Sequence, residues 1–250
     1  GNPYNLKFNK ATCFQGSVIL GSGFILQTNE ATQLIQNNEL NKTVIQSYLI
    51  GEDINSNIDH KPSRYVINFK DMSVQEAAKY KDCYQIVEEK VYPERQKKKD
   101  KGYRTKWWQF GRRSVELYSK IINFNRVIVT CRVTKHLCFT FVPSNYVYDV
   151  GTNVILSDRH DMFAIIQSTL HLAWSRKYGS TLRFDLRYTN EDCFETFPFP
   201  QSPSPEAKVA LDQIGEAYQE HRRQFMLSLQ IGLTKTYNLF HKKRPHDCGC

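Results

Sequence analysis

The sequence predicts an α+β fold: a mixed β-sheet core with packed helices, followed by a small helical C-terminal region. Three observations point there. Runs rich in β-branched and aromatic residues cluster between Arg126 and Leu156, segments with apolar residues at helical spacing lie on both sides of them, and everything after Gln201-Ser202-Pro203-Ser204-Pro205 is helical in pattern. The 250 residues, 40% of them hydrophobic, suffice for a real core. The expected division is an irregular segment over 1–12, a mixed domain over 13–200 and a helical region over 201–250.

Taken in order, Gly1 to Lys10 is polar and is left outside the fold. Phe14 to Leu26 reads as two short strands around a Gly21-x-Gly23 hairpin turn, followed by a helix of about Asn29 to Gln36 capped by Thr28. A nucleotide cradle is disfavoured there, because the third glycine and the acidic strand end are missing. Arg64 to Phe69 is a strand. Ser73-Val74-Gln75-Glu76 is a capping box opening a helix to about Lys90, with Ala77, Ala78, Tyr80, Tyr84 and Val87 inward.

In the β-rich centre, Arg126 to Lys135 and Leu137 to Val142 are strands around a tight turn at Lys135-His136. Tyr146 to Tyr148 and Asn153 to Leu156 are two more. A helix from about His160 to Arg176 follows, with Phe163, Ile166, Leu170 and Trp174 at helical spacing and Gly179 as a left-handed exit. Thr181 to Tyr188 alternates Leu182, Phe184, Leu186 and Tyr188 with Arg183, Asp185 and Arg187, which predicts one strand with a basic face. The alternate prolines of Phe197-Pro198-Phe199-Pro200 then end the domain. Beyond the linker, Ser204 and Pro205 open a long helix to about Gln230, with Leu211, Ile214, Tyr218, Phe225 and Leu229 as its apolar side, and a shorter helix covers about Thr234 to Phe240. Arg222, Arg223, Lys235, Lys242, Lys243 and Arg244 are expected outside.

Thirty-four Lys and Arg against 25 Asp and Glu give a net charge of +9, which favours a polyanionic partner. The densest charge lies in Pro93 to Trp108. There Lys97, Lys98, Lys99, Lys101, Arg104 and Lys106 run into Trp107-Trp108, with Arg112 and Arg113 just beyond, and a solvated loop competes with a phosphate-contacting surface. Arg183 and Arg187 extend the phosphate candidates. Seven cysteines without a Cys-x-x-Cys suggest reduced thiols, and the absence of a long apolar run or a signal pattern suggests a cytoplasmic protein without a membrane partner. The scattered histidines form no catalytic set, and His246-x-Cys248-x-Cys250 is weak as a metal site, so neither catalytic nor metal residues are assigned.

Four blocks carry a resemblance: Phe14-Gln15-Gly16 to Gly23-Phe24; Tyr92-Pro93-Glu94-Arg95 to Trp107-Trp108-Gln109-Phe110; Ile166-Gln167-Ser168-x-x-His171-x-x-Trp174; and Arg187-Tyr188-Thr189 to Cys193-Phe194-Glu195-Thr196-Phe197-Pro198-Phe199-Pro200. In that order and spacing the chain resembles the C-terminal part of MmeI-like (type IIG/IIL) restriction-modification enzymes and related phage-exclusion adenine methyltransferases. The resemblance implies a target recognition domain that reads double-stranded DNA and a helical region that helps clamp it. It also implies a methyltransferase domain upstream in the same parent chain, as a partner. That domain would take S-adenosylmethionine, and a nuclease domain would take magnesium, whereas no cofactor is expected in this chain. Asn2-Pro3-Tyr4 resembles the Asn-Pro-Pro-Tyr motif of such enzymes but lacks a proline and lies at the wrong distance.

A recognition domain needs long polar side chains aimed at base edges from a rigid scaffold. On the strand ends and loops of the β centre, Arg132, Lys135, His136, Asn145 and Asn153 are the base-contact candidates. A second reading stays open: a protein-interaction module docking through Trp107-Trp108 and Phe194 to Pro200, with no DNA specificity.

Overall fold

The β-branched run after Arg126 does form the central sheet, but the chain weaves between three sheets rather than folding as successive hairpins. The computed structural model describes residues 3–242. In chain order it has a 3₁₀ turn at Lys7–Asn9, then β1 (Cys13–Gln15), β2 (Ile25–Gln27), α1 (Thr28–Asn37), β3 (Ile45–Leu49), α2 (Gly51–Ser56) and β4 (Arg64–Ile67). A helical stretch follows, with α3 (Val74–Ala77), α4 (Lys81–Lys90), α5 (Tyr92–Gln96), α6 (Lys101–Thr105) and α7 (Val115–Ile121). The second half holds β5 (Arg126–Cys131), β6 (Val133–Thr134), β7 (Thr140–Pro143), β8 (Val147–Tyr148), β9 (Thr152–Ile155), α8 (His160–Gln167), α9 (Thr169–Tyr178), β10 (Ser180–Leu182), β11 (Asp185–Arg187), α10 (Pro205–Leu229) and α11 (Leu233–Phe240).

The central sheet has the order β1-β9-β5-β7, a second sheet β2-β4-β3-β8, and a three-stranded one β10-β11-β6. All pairs are antiparallel except β3 with β8, so the architecture is α+β with mixed sheets. One apolar cluster joins the second sheet to α4 through Phe24, Tyr48, Phe69, Val87 and Trp107. Another joins the central sheet to the C-terminal helices through Val127, Val129, Val154, Met226 and Leu233. The third packs α8 and the Phe194, Phe197 and Phe199 rings on Ile128 and Phe139.

Several expectations are corrected, each for a local reason. β1 and β2 pair in different sheets, so Gly21 and Gly23 form no hairpin turn; they pack on α4 and its exit, where a Cβ on Gly23 would lie 2.4 Å from Lys90 Cβ. The capping box is present, with Ser73 Oγ accepting from Glu76 N–H, but the helix breaks between Ala77 and Lys81. Lys135-His136 does not close a β5–β7 hairpin, because the chain leaves the central sheet at Arg132 and joins β11. The helix expected over His160 to Arg176 breaks at Ser168, whose extended backbone caps α9; Leu170 faces solvent and Gly179 exits without a left-handed φ. Thr181 to Tyr188 is a hairpin, not one strand: Leu182 pairs with Asp185 and Arg183 turns the chain at φ 59°.

The ends are also more integrated than expected. Asn9 is buried and its amide donates to the carbonyls of Phe194, Glu195 and Phe197, so the N-terminal segment clasps the aromatic block. The inward stripe of α10 is Gly215, Arg222 and Met226, with Tyr218 at its edge against Phe163 and Tyr237, while Ile214, Phe225 and Leu229 are exposed. Gly215 permits the close approach to α8, since a Cβ there would lie 2.2 Å from the His160 carbonyl oxygen. Arg222, expected outside, is 6% exposed and donates to the Phe139 carbonyl at 2.6 Å. Its other nitrogen reaches Gln167 and the Tyr237 hydroxyl. Lys243, Arg244 and the His246-x-Cys248-x-Cys250 motif lie outside the described residues. No helix among the described residues is long and apolar enough to cross a membrane.

Candidate nucleic-acid interface

The strand switch at Arg132 builds the site. Arg132 N–H donates to the Gly151 carbonyl at 2.8 Å, and its carbonyl accepts from Tyr188 N–H at 2.7 Å, so its backbone is clamped between β9's entry loop and β11. The partner segments are fixed in turn. Gly16 lies against the Tyr148 and Asp149 carbonyls, closer than any side chain would permit, and Gln15 donates to the Val150 carbonyl at 2.8 Å. Arg112 exchanges backbone hydrogen bonds with Val18 and reaches Gln15 Oε1 at 2.7 Å and the Gly16 carbonyl at 3.1 Å.

Arg112, Arg132 and Arg187, far apart in sequence, therefore converge at one end of the central sheet. The Arg132 guanidinium is pushed below its ordinary pKa, first by partial burial and then by the positive charge of Arg187; Glu191 pulls the other way, and Arg112 adds the smallest push. Arg132 Nε is buried and has no hydrogen-bond partner. None of Arg112, Arg132, Arg183 and Arg187 takes part in an ion pair among the described residues. Guanidinium groups that converge with no carboxylate in ion-pair contact repel one another, Glu191 offsetting this only in part, and an incoming anion or a base edge with two acceptors relieves that repulsion.

The other base-contact candidates are not brought to this place. Asn153 is buried and its amide donates to the Tyr188 carbonyl at 2.8 Å; it positions the Arg187 strand and has no face for a base. Below it, Tyr188 Oη sits 3.0 Å from His171 Nε2, and burial lowers the His171 pKa to about 3, so the imidazole is neutral. Lys135 and His136 are engaged by α11: Lys135 Nζ donates to Asn238 Oδ1 at 2.8 Å, and His136 stacks on His241 at 5.1 Å. Asn145 is exposed on a separate open cleft of 480 Å³ with Gln46, Asn68, Lys70 and Arg113. Of the five, Arg132 alone joins the cluster.

The family model for the target recognition domain of MmeI matches residues 8–201. The chain belongs to that family. The solved structure of the Type IIL restriction-modification enzyme MmeI in complex with DNA is similar, with a TM-score of 0.69 at 18% identity over 85% of this chain. At that identity the likeness is one of fold, and the chain spans 28% of that enzyme's length. No curated protein matches.

Within this target recognition domain the cationic run has a different character from the arginine cluster. Lys97, Lys98 and Lys99 are exposed in the turn between α5 and α6, Lys101 on α6 and Lys106 just after it, and Arg104 donates to the Lys98 and Lys99 carbonyls at 2.7 and 2.8 Å. Trp107 is buried against Tyr84 and Tyr92, and Trp108 donates to the Met72 carbonyl at 2.9 Å. Trp107 is core and Trp108 is half-buried against it, so the pair is not an open stacking face for the lysines. Arg95, in the middle of the same run, is 1% exposed and donates to the carbonyls of Ile19, Leu20 and Gln109. Arg113 reaches the Lys70 carbonyl at 3.3 Å.

Gln15, Glu191 and Phe184 belong to the arginine end of the molecule and were not singled out by the sequence. Gln15 lies in a resemblance block, but its contact with Arg112 crosses 97 positions and leaves no periodic signal.

Proposed function

We propose that this chain reads the sequence of duplex DNA for a site-specific N6-adenine methyltransferase or fused restriction-modification enzyme whose catalytic part lies elsewhere in the parent. The observation that supports it best is the convergence of Arg112, Arg132 and Arg187 on a backbone held by three separate segments. Guanidinium forks match both the O6 and N7 acceptors of guanine and the oxygens of a phosphate. The rigid scaffold limits the entropy lost when such a fork is aimed. That the similar MmeI structure was solved with DNA supports the reading.

The division of labour follows from geometry. Arg132 and its neighbours supply discrimination, and the exposed lysines from Lys97 to Lys106 supply sequence-independent attraction to phosphates. S-adenosylmethionine and, for a nuclease, magnesium belong to the remainder of the parent. This chain's own glycine pair does not fit a nucleotide, since Gly21 and Gly23 are filled by Val91 and Lys90. Burial of Trp107, Phe194, Phe197 and Phe199, with Trp108 half-buried beside them, leaves the protein-docking alternative little apolar surface.

Titration of a randomised duplex pool at several salt concentrations, followed by sequencing of the retained duplexes, tests the proposal. Enrichment of one sequence, with affinity falling linearly on a log-log salt plot, is expected. Retention of all sequences alike would overturn it.

A further inference from the structure

The β10–β11 hairpin carries the most exposed aromatic side chain of the β-sheets' surroundings at its tip. Phe184 is 100% exposed, so both faces of its ring are free, and Leu182 beside it is 54% exposed. The tip is narrow: Leu182 pairs directly with Asp185, leaving only Arg183 and Phe184 in the turn, with Arg183 held at φ 59°. Such an angle is ordinary in a two-residue hairpin turn, and here it places Arg183 and Phe184 together at the tip. A fully hydrated phenyl ring also forgoes the burial that a ring of this size ordinarily obtains.

The surroundings specify what the ring meets. Arg183 and Arg187 are exposed on the same hairpin, and β11 runs from the tip back to the arginine cluster, with Arg187 paired to Val133 beside Arg132. From Phe184 to Arg187 is three residues, or about 10 Å of extended chain. An apolar ring carried ahead of guanidinium groups at this distance is complementary to a polyanion that has apolar surfaces between its charges. Stacked bases behind a phosphate backbone have that construction, whereas an apolar protein groove gives the arginines nothing to pair with.

We propose that Phe184 is a wedge that inserts between two stacked base pairs of the bound duplex, with Arg183 and Arg187 holding the flanking phosphates. The inference rests on the DNA-reading function above and adds a deformation to it: one base step is unstacked, and the energy of opening it depends on its sequence, so a pyrimidine–purine step is favoured at that position. The hairpin is rooted on β6, and Leu186 pairs with Thr134, so the tip is backed by a sheet that can resist the push.

The test uses a duplex selected by the intact chain from a randomised pool, resynthesised with 2-aminopurine, whose fluorescence rises on unstacking, in place of each adenine of either strand in turn. Wild-type protein is expected to raise the signal severalfold at one base step only. Phe184→Ala abolishes that rise and weakens binding about tenfold, Phe184→Leu retains part of both, and neither variant alters the salt slope or the far-ultraviolet circular dichroism. A flat signal with wild type despite selective binding overturns the wedge and leaves the DNA-reading function standing. So does a rise that persists unchanged in Phe184→Ala. If replacing one thymine by uracil reproduces the Phe184→Ala loss without any unstacking signal, the ring touches a methyl group and is not a wedge. Failure to select any duplex removes both the wedge and the function on which it rests.

Discussion

Two cationic regions of this molecule differ in how their charge is assembled. The run from Lys97 to Lys106 is dense in sequence but spread over exposed turns and one short helix, while Arg112, Arg132 and Arg187 are far apart in sequence and gathered by three segments that bond one another's backbones. Exposed lysines keep their rotamer freedom and most of their hydration, so they attract a polyanion without orienting it. The arginines spring from clamped backbones, and the Arg112 guanidinium is also held by Gln15 and the Gly16 carbonyl, so the forks start from fixed points. On the proposed reading, the charge that is dense along the chain attracts a nucleic acid and the charge that converges in space reads it.

The comparison is sharpest at Arg95, which lies within the cationic run and yet behaves as a core residue. Arg95→Met is expected to destabilise the chain by about 3–5 kcal/mol, because three buried carbonyls lose their donor. Urea denaturation measures it, and a loss below 1 kcal/mol would mean that the segment is loosely held. Arg132→Ala is expected to leave stability nearly unchanged and to cost about 1–3 kcal/mol of discrimination between the selected duplex and one altered at the contacted base. Competition binding at fixed salt provides that value.

A smaller effect separates the supports of the two regions by pH. His171 has its pKa lowered to about 3 by burial, against an ordinary value of 6.5. The unfolded chain thus binds this proton first: the contribution is complete above about pH 6.5 and falls away as the pH drops toward 3, by up to about 1.4 kcal/mol per pH unit. His171→Gln should flatten that dependence in denaturation curves collected from pH 7 to 5. Because His171 meets Tyr188 next to Arg187, acid should loosen the arginine end before the lysine run. Smaller again, Trp108→Phe is expected to cost about 1 kcal/mol for the lost bond to the Met72 carbonyl, with no change in duplex preference.

Legibility in the sequence followed the range of the forces involved. The α+β class, the capping box at Ser73, the β-branched strand at Arg126 and the long helix from Pro205 are local patterns, and all four are present. Boundaries failed where tertiary contacts overrode periodicity, as where Ser168 interrupts a helix and α10 turns its Gly215, Arg222, Met226 stripe inward. Of the site, Arg132, Arg112 and Arg187 were named as separate base and phosphate candidates, but nothing local revealed that they meet. Asn153 was named for the wrong task, since a buried amide bonding a backbone carbonyl looks, in sequence, like any polar strand residue. Phe184 was assigned by alternation to the apolar face of one strand, and the turn at Arg183 instead puts it exposed at a hairpin tip.

The duplex preference of two variants compared side by side bears most directly on the central claim. Arg132→Ala and the joint Lys97, Lys98, Lys99 and Lys101→Gln variant are each passed through the same randomised duplex pool, and the retained sequences are read. Reading by the converging arginines predicts that Arg132→Ala relaxes or changes one position of the preferred sequence at an almost unaltered salt slope. It predicts that the lysine variant keeps the wild-type sequence, binds every duplex more weakly, and loses about 0.9 of log-log slope for each phosphate contact removed. A lysine variant with altered preference, beside an Arg132→Ala protein that selects the wild-type sequence, would contradict it.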